Sequence, residues 1–200
     1  LGLAADGIDL VSPADDADHD AYRDAYHELR REKGVTAEQA AATMRDPLFF
    51  GAMMVRQGRG DGMVAGAVNA TGDVLRAAFQ IIGTAKDSSI VSSSFVMVRE
   101  DWELGENGML VFADCAVNPQ PNAEQLADIA FDSSRTARAL CGFEPRVAML
   151  SYSTMGSGAG QDVDKVEAAV ALLQQRHPDL AIDGPLQADA ALVEAIGAKK

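Results

Sequence analysis

The sequence has 200 residues, of which 48% are hydrophobic and 24% are charged, a composition typical of a globular protein. Its 17 basic and 30 acidic residues give a net charge of −13, without any run of Lys or Arg. This balance excludes general nucleic-acid binding, because phosphate backbones require clustered basic side chains. A phosphorylated small molecule stays possible, since a few arginines can overcome the mean field locally.

The sequence also bears on the cellular compartment. No apolar stretch reaches the roughly 18 residues of a membrane-spanning helix, and the first residues, LGLAADGIDL, lack the features of a signal peptide. Cys115 and Cys141 are not in metal-ligand spacing and are interpreted as free thiols. We therefore expect a cytoplasmic protein with no membrane or nucleic-acid partner.

Helices dominate the expected elements of the first half. Tyr22, Tyr26 and Leu29 repeat at helical spacing and predict a helix over residues 18–33. Thr36 with Gln39 has the pattern of a capping box at the start of a second helix. Asp46-Pro47 predicts the start of a third helix over residues 48–57. A strand at 8–11, a buried strand at 63–67 and a helix over 72–82 complete this half.

The second half alternates strands and helices. The predicted strands cover residues 90–98, 109–113, 147–151 and 181–182, and the predicted helices cover 122–140, 163–175 and 187–196. Asn122 with Gln125 has the pattern of another capping box, at the start of the first of these helices. The first two strands are too apolar for an edge position. Strands separated by helices imply parallel pairing with right-handed crossovers, so the expected fold class is α/β. A weak seam at residues 85–89 is a candidate boundary between two lobes.

The strongest chemical signal is the segment MLSYSTMGSGAG at 149–160, between a predicted strand and a predicted helix. It carries four hydroxyl side chains and three glycines: Ser151, Ser153, Thr154, Ser157, Gly156, Gly158 and Gly160. Glycines let backbone N–H groups converge, and the following helix N-terminus adds partial positive charge. The segment therefore suits a phosphate or acyl phosphate, although an ordinary Gly/Ser connection has the same composition. Asp162 and Asp164 would repel an anion, so the ligand is expected over residues 151–157.

Arginines are the other candidate ligand-binding groups. Arg76 lies in a helix that is apolar nearly all round, which predicts a buried guanidinium whose partner is a structural carboxylate or a ligand phosphate. Arg30 and Arg31, judged by their position on a polar helix face alone, belong to a solvated surface. The three histidines have no spacing that suggests a catalytic triad or a zinc site.

Five segments together resemble the phosphate acetyl/butyryl transferase family. They are HELRREKGVT at 27–36, DGMVAGAVNATGDVLRAAFQIIGTAK at 61–86, FADCAVNPQPNAEQLADIA at 112–130, VAMLSYSTMGSGAGQDVDKV at 147–166 and AIDGPLQADAAL at 181–192. They occur in the family's order and span nearly the whole chain. The motifs DCAVNP and SYST are most similar to those of acetyl-specific members.

The resemblance implies reversible acetyl transfer between acetyl phosphate and coenzyme A, which is a substrate here; no cofactor and no metal are expected. It also implies a homodimer and an α/β fold of two lobes, each a parallel-sheet three-layer sandwich like that of isocitrate dehydrogenase. On this pattern residues 1–86 belong to the first domain and 87–200 to the second. The implied substrate-binding residues are Arg30, Thr71, Arg76, Ser151, Ser153, Thr154, Gly156 and Ser157.

The resemblance places the catalytic residues elsewhere. Family members carry, towards the C-terminal side, a segment like NDLSRG followed by an aspartate, associated with acyl binding and thiol activation. The sequence stops at Lys200 before such a segment and begins with Leu, so we expect a partial chain with catalytic residues unknown. A non-catalytic acetyl-coenzyme A-sensing domain, as in malic enzyme fusions, and a transferase for butyryl or other acyl groups are the alternatives.

Overall fold

The computed structural model describes residues 7–86 and 88–200. The chain divides into an N-terminal unit, Leu1–Thr84, and a C-terminal unit, Ala85–Lys200. Asp87, within the expected seam, lies outside the described residues. That these units are parts of the family's first and second domains stays a prediction.

Helices form the regular structure in the described part of the N-terminal unit. They are α1 (His19–Arg30), α2 (Ala37–Thr43), α3 (Pro47–Arg56) and α4 (Thr71–Ile81), and a 3-10 turn, Arg31–Lys33, follows α1. The predicted capping box is confirmed, because Thr36 Oγ1 accepts from the Gln39 N–H at 3.2 Å and Gln39 Oε1 accepts from the Thr36 N–H at 2.9 Å. Asp46 caps α3 through the Leu48 N–H at 2.8 Å, ahead of Pro47.

The core of the N-terminal unit lies between α1 and α3. Tyr22 and Tyr26 are buried on one face of α1, as their spacing predicts, and the Tyr22 ring lies 5.1 Å from that of Phe50. Phe50 and Met53 of α3 are fully buried in the same cluster. Removing a side chain such as Phe50 would cost about 3–5 kcal/mol of folding free energy.

The prediction of two strands in this unit is wrong. Residues 8–11 and 63–67 form no strand, and residues 61–70 are exposed in the connection between α3 and α4. Strands require hydrogen bonds to a neighbouring strand, and the described residues offer these two segments none. Met63 instead lies against α3, where a Cβ on Gly51 would come within 2.9 Å of its sulfur.

Strands and helices alternate in the C-terminal unit. The elements are β1 (Ser94–Val98), β2 (Met109–Ala113), α5 (Ala123–Thr136), β3 (Arg146–Leu150), α6 (Gln161–Arg176), β4 (Ala181–Leu186), α7 (Ala188–Leu192) and α8 (Glu194–Gly197). A π-helical turn, Ala137–Cys141, extends α5, and Val193 interrupts the helix predicted over 187–196. The capping box predicted at Asn122 and Gln125 is present. The unit is α/β, as the sequence indicates.

The second pair of strands follows the predicted topology. β3 and β4 are parallel, with α6 between them in the chain and a register irregularity between Ala148 and Leu150. α5 and α6 pack against each other and against the β3–β4 sheet through buried apolar side chains, which include Ala127, Ala130, Met149, Ala169, Val170 and Leu173. This arrangement fixes the carboxyl ends of β3 and β4 side by side.

The first pair of strands does not have the predicted parallel pairing. β1 and β2 are antiparallel, with Phe95 opposite Phe112, and their apolar side chains are largely exposed, Phe95 to 58%. The connection from Val98 to Met109 is too short for a helical crossover. It turns instead at Gly105 and Gly108, where an added Cβ would lie 2.1 Å from the carbonyl oxygens of Met109 and Arg99 respectively. The parallel pairing expected for all strands therefore holds only for β3 and β4 among those described.

No helix in the described ranges has the length and apolarity needed to cross a membrane.

Candidate functional site

The predicted anion-binding segment lies between β3 and α6. Its first half continues alongside the end of β4, because the Ser151 N–H donates to the Leu186 carbonyl at 2.8 Å and the Met155 N–H to the Pro185 carbonyl at 3.1 Å. Met155 and Gly156 have positive φ angles of 45° and 84°, which turn the chain back towards α6. We call residues 151–160 the β3–α6 loop. The loop stands at the carboxyl end of a parallel strand, where α/β proteins commonly bind ligands.

Two of the predicted ligand-binding hydroxyls form hydrogen bonds within the protein. Ser153 and Thr154 are 0% and 4% exposed. Ser153 Oγ donates to the Gly158 carbonyl at 3.2 Å and accepts from the Gly158 N–H at 2.9 Å. Thr154 Oγ1 donates to Gln187 Oε1 at 3.2 Å and accepts from the Gln187 N–H at 2.9 Å. Since each hydroxyl already donates its proton within the protein, Ser153 and Thr154 shape the loop.

The other predicted residues of the loop face outwards. Gly156 and Ser157 are exposed and Ser151 is half-buried. Ser157 Oγ accepts from the Thr154 N–H at 2.9 Å, and Ser151 Oγ accepts from the Ser153 N–H at 3.2 Å. Both hydroxyls therefore keep a proton that they can donate to a bound anion. Ser151 and Ser157 thus differ from Ser153 and Thr154, whose protons are used within the protein, and substrate binding by any residue of this loop stays a prediction.

Charges at the start of α6 partly offset one another. Gly160 precedes the helix and provides no capping side chain, so the first N–H groups of α6 have no side-chain acceptor from that position. Asp162 and Asp164 occupy the first turn of α6, where their negative charges stabilise the helix by interacting with its dipole. Lys165 Nζ lies 3.2 Å from Asp162 Oδ1, which reduces the repulsion of a nearby anion.

Arg76 is not buried, contrary to the sequence-based prediction. Its side chain is 59% exposed and its Nη1 lies 2.9 Å from Asp73 Oδ1, one turn earlier in α4. The apolar face of α4 turns inwards at Ala77 and Ile81, whereas Arg76 lies on the opposite side. Thr71, the first residue of α4, is also exposed. Of the two partners that the sequence leaves open for Arg76, the structure shows the carboxylate.

Arg30 has the least satisfied guanidinium of the predicted arginines. It ends α1, and its Nε is buried without a hydrogen-bond partner in the described structure. Burial raises the pKa of the neighbouring Tyr26 phenol, and the positive charge of Arg30 partly opposes that rise. Because this Nε–H has almost no accessible surface, a phosphate group could contact it only after neighbouring side chains move. Arg31 instead pairs with Glu28 at 3.1 Å on the surface.

One hydrogen bond relates the helices that carry the two arginines. Tyr26 OH donates to Gln80 Oε1 at 2.6 Å, which joins α1 to α4. Arg30 lies one turn after Tyr26, and Arg76 lies one turn before Gln80. The N-terminal unit thus carries Arg30, Thr71 and Arg76, and the C-terminal unit carries the β3–α6 loop.

Sequence reasoning missed a carboxylate-centred turn at Asp114, directly after β2. Asp114 accepts from the N–H groups of Ala116, Val117 and Asn118 at 2.8, 3.0 and 3.1 Å, and also from Ser93 Oγ and Asn118 Nδ2. Burial opposes its ionisation, but these hydrogen bonds outweigh burial and hold its pKa well below the ordinary value. An aspartate ahead of an Asn-Pro pair is a turn signal that the motif DCAVNP already contains.

No group of three or more His, Cys, Asp or Glu side chains suited to a metal ion occurs among residues 7–86 and 88–200.

Comparison with known proteins identifies the family. The model of the family described as phosphate acetyl/butaryl transferase matches residues 1–200. The chain belongs to this family. Family members named phosphate acetyltransferase from Thermoanaerobacterium thermosaccharolyticum and Clostridium acetobutylicum are 50% and 49% identical to it, over 98% and 100% of this chain. The chain spans 62% and 60% of the lengths of these two relatives.

Solved structures of the family agree with the fold. EutD phosphotransacetylase from Staphylococcus aureus matches with a TM-score of 0.87 and 38% identity, over 99% of this chain and 59% of that one. A phosphotransacetylase from Streptococcus pyogenes matches with a TM-score of 0.86 and 41% identity, over 98% and 58%. The α/β class and the family resemblance expected from the sequence are thereby confirmed.

Proposed function

We propose that this chain is part of an acyltransferase that moves acetyl groups reversibly between acetyl phosphate and coenzyme A. The observation that carries the proposal is the 49% identity, over all of this chain, to a relative named phosphate acetyltransferase. The reported relatives share that name, and none of them favours the acetyl-coenzyme A-sensing alternative.

The proposed chemistry is a direct acyl transfer. The coenzyme A thiolate attacks the acetyl carbonyl carbon, a C–S bond forms, and the C–O bond to phosphate breaks. Inorganic phosphate leaves with the electron pair of that bond, and the thiol proton passes to a base. We propose that the base and the acyl-binding groups belong to the family's NDLSRG-like segment, expected beyond Lys200. Neither a metal nor a cofactor takes part in this scheme.

Described residues support the binding of the two substrates. We propose that Arg30 binds a phosphate group of coenzyme A or of acetyl phosphate, because its buried Nε–H lacks a partner. Arg76 and Thr71 are exposed on the first turns of α4, so Arg76 can exchange its exposed Asp73 partner for a ligand phosphate. Ser151, Gly156 and Ser157 offer donors on the outer side of the β3–α6 loop, while Ser153 and Thr154 keep that loop in shape.

The architecture of the longer protein is part of the proposal. We propose two isocitrate dehydrogenase-like lobes, each a three-layer sandwich around a parallel sheet, to which residues 1–86 and 87–200 contribute. We also propose a cytoplasmic homodimer.

The deciding experiment is an assay of the full-length protein that carries this sequence. Acetyl-coenzyme A should form from acetyl phosphate and coenzyme A, with stoichiometric release of inorganic phosphate. Butyryl phosphate should be used less efficiently, as judged by kcat/KM. A protein that binds acetyl-coenzyme A but transfers no acetyl group from acetyl phosphate would contradict the proposal in favour of a sensing domain.

A further inference from the structure

A reciprocal pair of hydrogen bonds joins the β3–α6 loop to the start of α7. Thr154 Oγ1 donates to the side-chain oxygen of Gln187 and accepts from the backbone N–H of the same residue. Thr154 is 4% exposed, so water cannot easily replace Gln187 as its partner. The two residues are 33 positions apart in the chain, and this contact therefore depends on the tertiary fold.

A second donor shows which atom of the Gln187 amide faces Thr154. Lys200 Nζ, which can only donate, lies 2.8 Å from Gln187 Oε1. The atom that faces Thr154 must therefore be the amide oxygen. Because Thr154 Oγ1 already accepts from the Gln187 N–H, its own proton goes to that oxygen.

Thr154 is also hydrogen-bonded to Ser157, so the position of Thr154 influences the Ser157 hydroxyl. The Thr154 N–H donates to Ser157 Oγ at 2.9 Å, and the Ser157 N–H donates back to the Thr154 carbonyl at 3.0 Å. With one lone pair of Ser157 Oγ occupied by this bond, the hydroxyl proton points away from Thr154. Ser157 is exposed, so its proton is available to a ligand over the loop.

We propose that Gln187 is a positioning residue, which acts through Thr154 to orient the Ser157 hydroxyl towards a phosphoryl oxygen. The inference rests on the proposed function, because it requires the β3–α6 loop to bind the phosphate group of acetyl phosphate or inorganic phosphate. It gives the motif around Gln187 a role in substrate binding, although Gln187 itself does not contact the substrate.

The test measures inorganic phosphate binding by calorimetry in the full-length protein, together with thermal unfolding. Gln187→Met and Thr154→Val should each weaken phosphate binding about five-fold, the effect of one neutral hydrogen bond. Thr154→Ser keeps the oxygen and should restore the affinity to within about two-fold of wild type. Ser157→Ala should weaken binding about five-fold or more.

Two control variants separate positioning from general loss of structure. Lys200→Met removes the other donor to Gln187 Oε1 but leaves the bond to Thr154. Ser134→Ala removes a buried hydroxyl that donates to the Phe131 carbonyl within α5, outside the loop. Both should keep the phosphate affinity of wild type, and Ser134→Ala should lower the unfolding temperature as much as Thr154→Val does.

The decisive comparison combines Gln187→Met with Ser157→Ala. If Gln187 acts through Ser157, the double variant should bind phosphate no more weakly than Ser157→Ala alone. If the effects of the two substitutions multiplied, so that the double variant bound phosphate about 25-fold more weakly than wild type, the inference would be overturned. Wild-type affinity in Gln187→Met, or absence of phosphate binding in wild type, would overturn it too. Phosphate binding with the predicted coupling, but without acetyl transfer, would refute the proposed function and leave the inference standing.

Discussion

Arg30 and Arg76 differ in what their guanidinium groups already contact. Arg76 pairs with Asp73 on the helix surface, and such exposed pairs contribute only about 0.3–0.5 kcal/mol, so a ligand can displace the carboxylate. Arg30 has a buried Nε–H without a partner in the described structure, which costs free energy until an acceptor binds. Arg30 is therefore the arginine with an unsatisfied donor, whereas Arg76 already has a partner.

Replacing Arg30 by Met should raise the KM for coenzyme A or acetyl phosphate at least about ten-fold, because a charge-assisted hydrogen bond is lost. The free energy of unfolding should stay within about 1 kcal/mol of wild type, since the lost Nε–H had no acceptor. Arg31→Met is the matched control: Arg31 pairs with Glu28 at the surface and should leave both KM values unchanged. Wild-type kinetics in Arg30→Met would remove Arg30 from the binding site.

Asp114 gives a prediction for stability and pH. Because its folded-state pKa lies below the unfolded value of about 3.9, its stabilising effect is fully present above that value and declines as pH falls from there towards the folded-state pKa. Asp114→Asn should lower the free energy of unfolding by about 1–2 kcal/mol at pH 7, and this difference from wild type should shrink at pH 3.

Urea unfolding at the two pH values measures this effect. The exposed Asp101, which pairs with Arg99 at 2.9 Å, is the control, and Asp101→Asn should cost less than about 0.5 kcal/mol. A difference between Asp114→Asn and wild type that does not change from pH 7 to pH 3 would show that the Asp114 charge has no such role.

At the level of elements, local signals were sufficient for helices but not for strands. The capping residues Thr36, Asp46 and Asn122 start α2, α3 and α5 as the sequence predicts, because cap and helix are neighbours in the chain. The prediction of a strand at residues 63–67 is wrong, because an apolar composition does not by itself provide a partner strand. The antiparallel pairing of β1 with β2 follows from their short connection, which the general expectation of parallel pairing does not include.

The close contact of β4 with β3 leads to a prediction at this scale. Gly184 has a φ of 148°, and an added Cβ would lie 2.7 Å from the Met149 carbonyl oxygen. Gly184→Ala should therefore lower the free energy of unfolding by about 3 kcal/mol or more. Gly62→Ala, where a Cβ would meet nothing within 4 Å, should change it by less than about 1 kcal/mol. Equal stability of the two variants in urea unfolding would contradict the predicted contact.

At the scale of the whole molecule, the chain consists of two units with separate buried clusters. The residues that join them at the seam, 83–86, are exposed and belong to no helix or strand. Exposed connections without regular structure are the preferred sites of proteolysis. The seam expected at residues 85–89 thus overlaps an exposed connection, and its cleavage can be tested directly.

Limited trypsin digestion of the full-length protein should cut first after Lys86 and separate the N-terminal unit from the C-terminal unit. Lys86→Gln should remove this cleavage. Arg59 also lies in an exposed connection, but its Nη1 is held by Asp16 at 2.7 Å and Asp18 at 3.1 Å, so cleavage there should be slower. Mass spectrometry of the early products decides between the two sites, and a first cut after Arg59 would contradict the prediction.

The sequence by itself determined the family, the α/β class and the helices with strong caps, because motifs, periodicity and capping residues act over a few neighbouring positions. Only the tertiary structure decided which strands pair, that Arg76 is exposed, and that Ser153 and Thr154 face inwards. These properties depend on residues distant in the chain, as Thr154 depends on Gln187. Hydroxyl composition therefore indicated an anion-binding loop, but only the folded contacts distinguish the hydroxyls that support it from those that can bind.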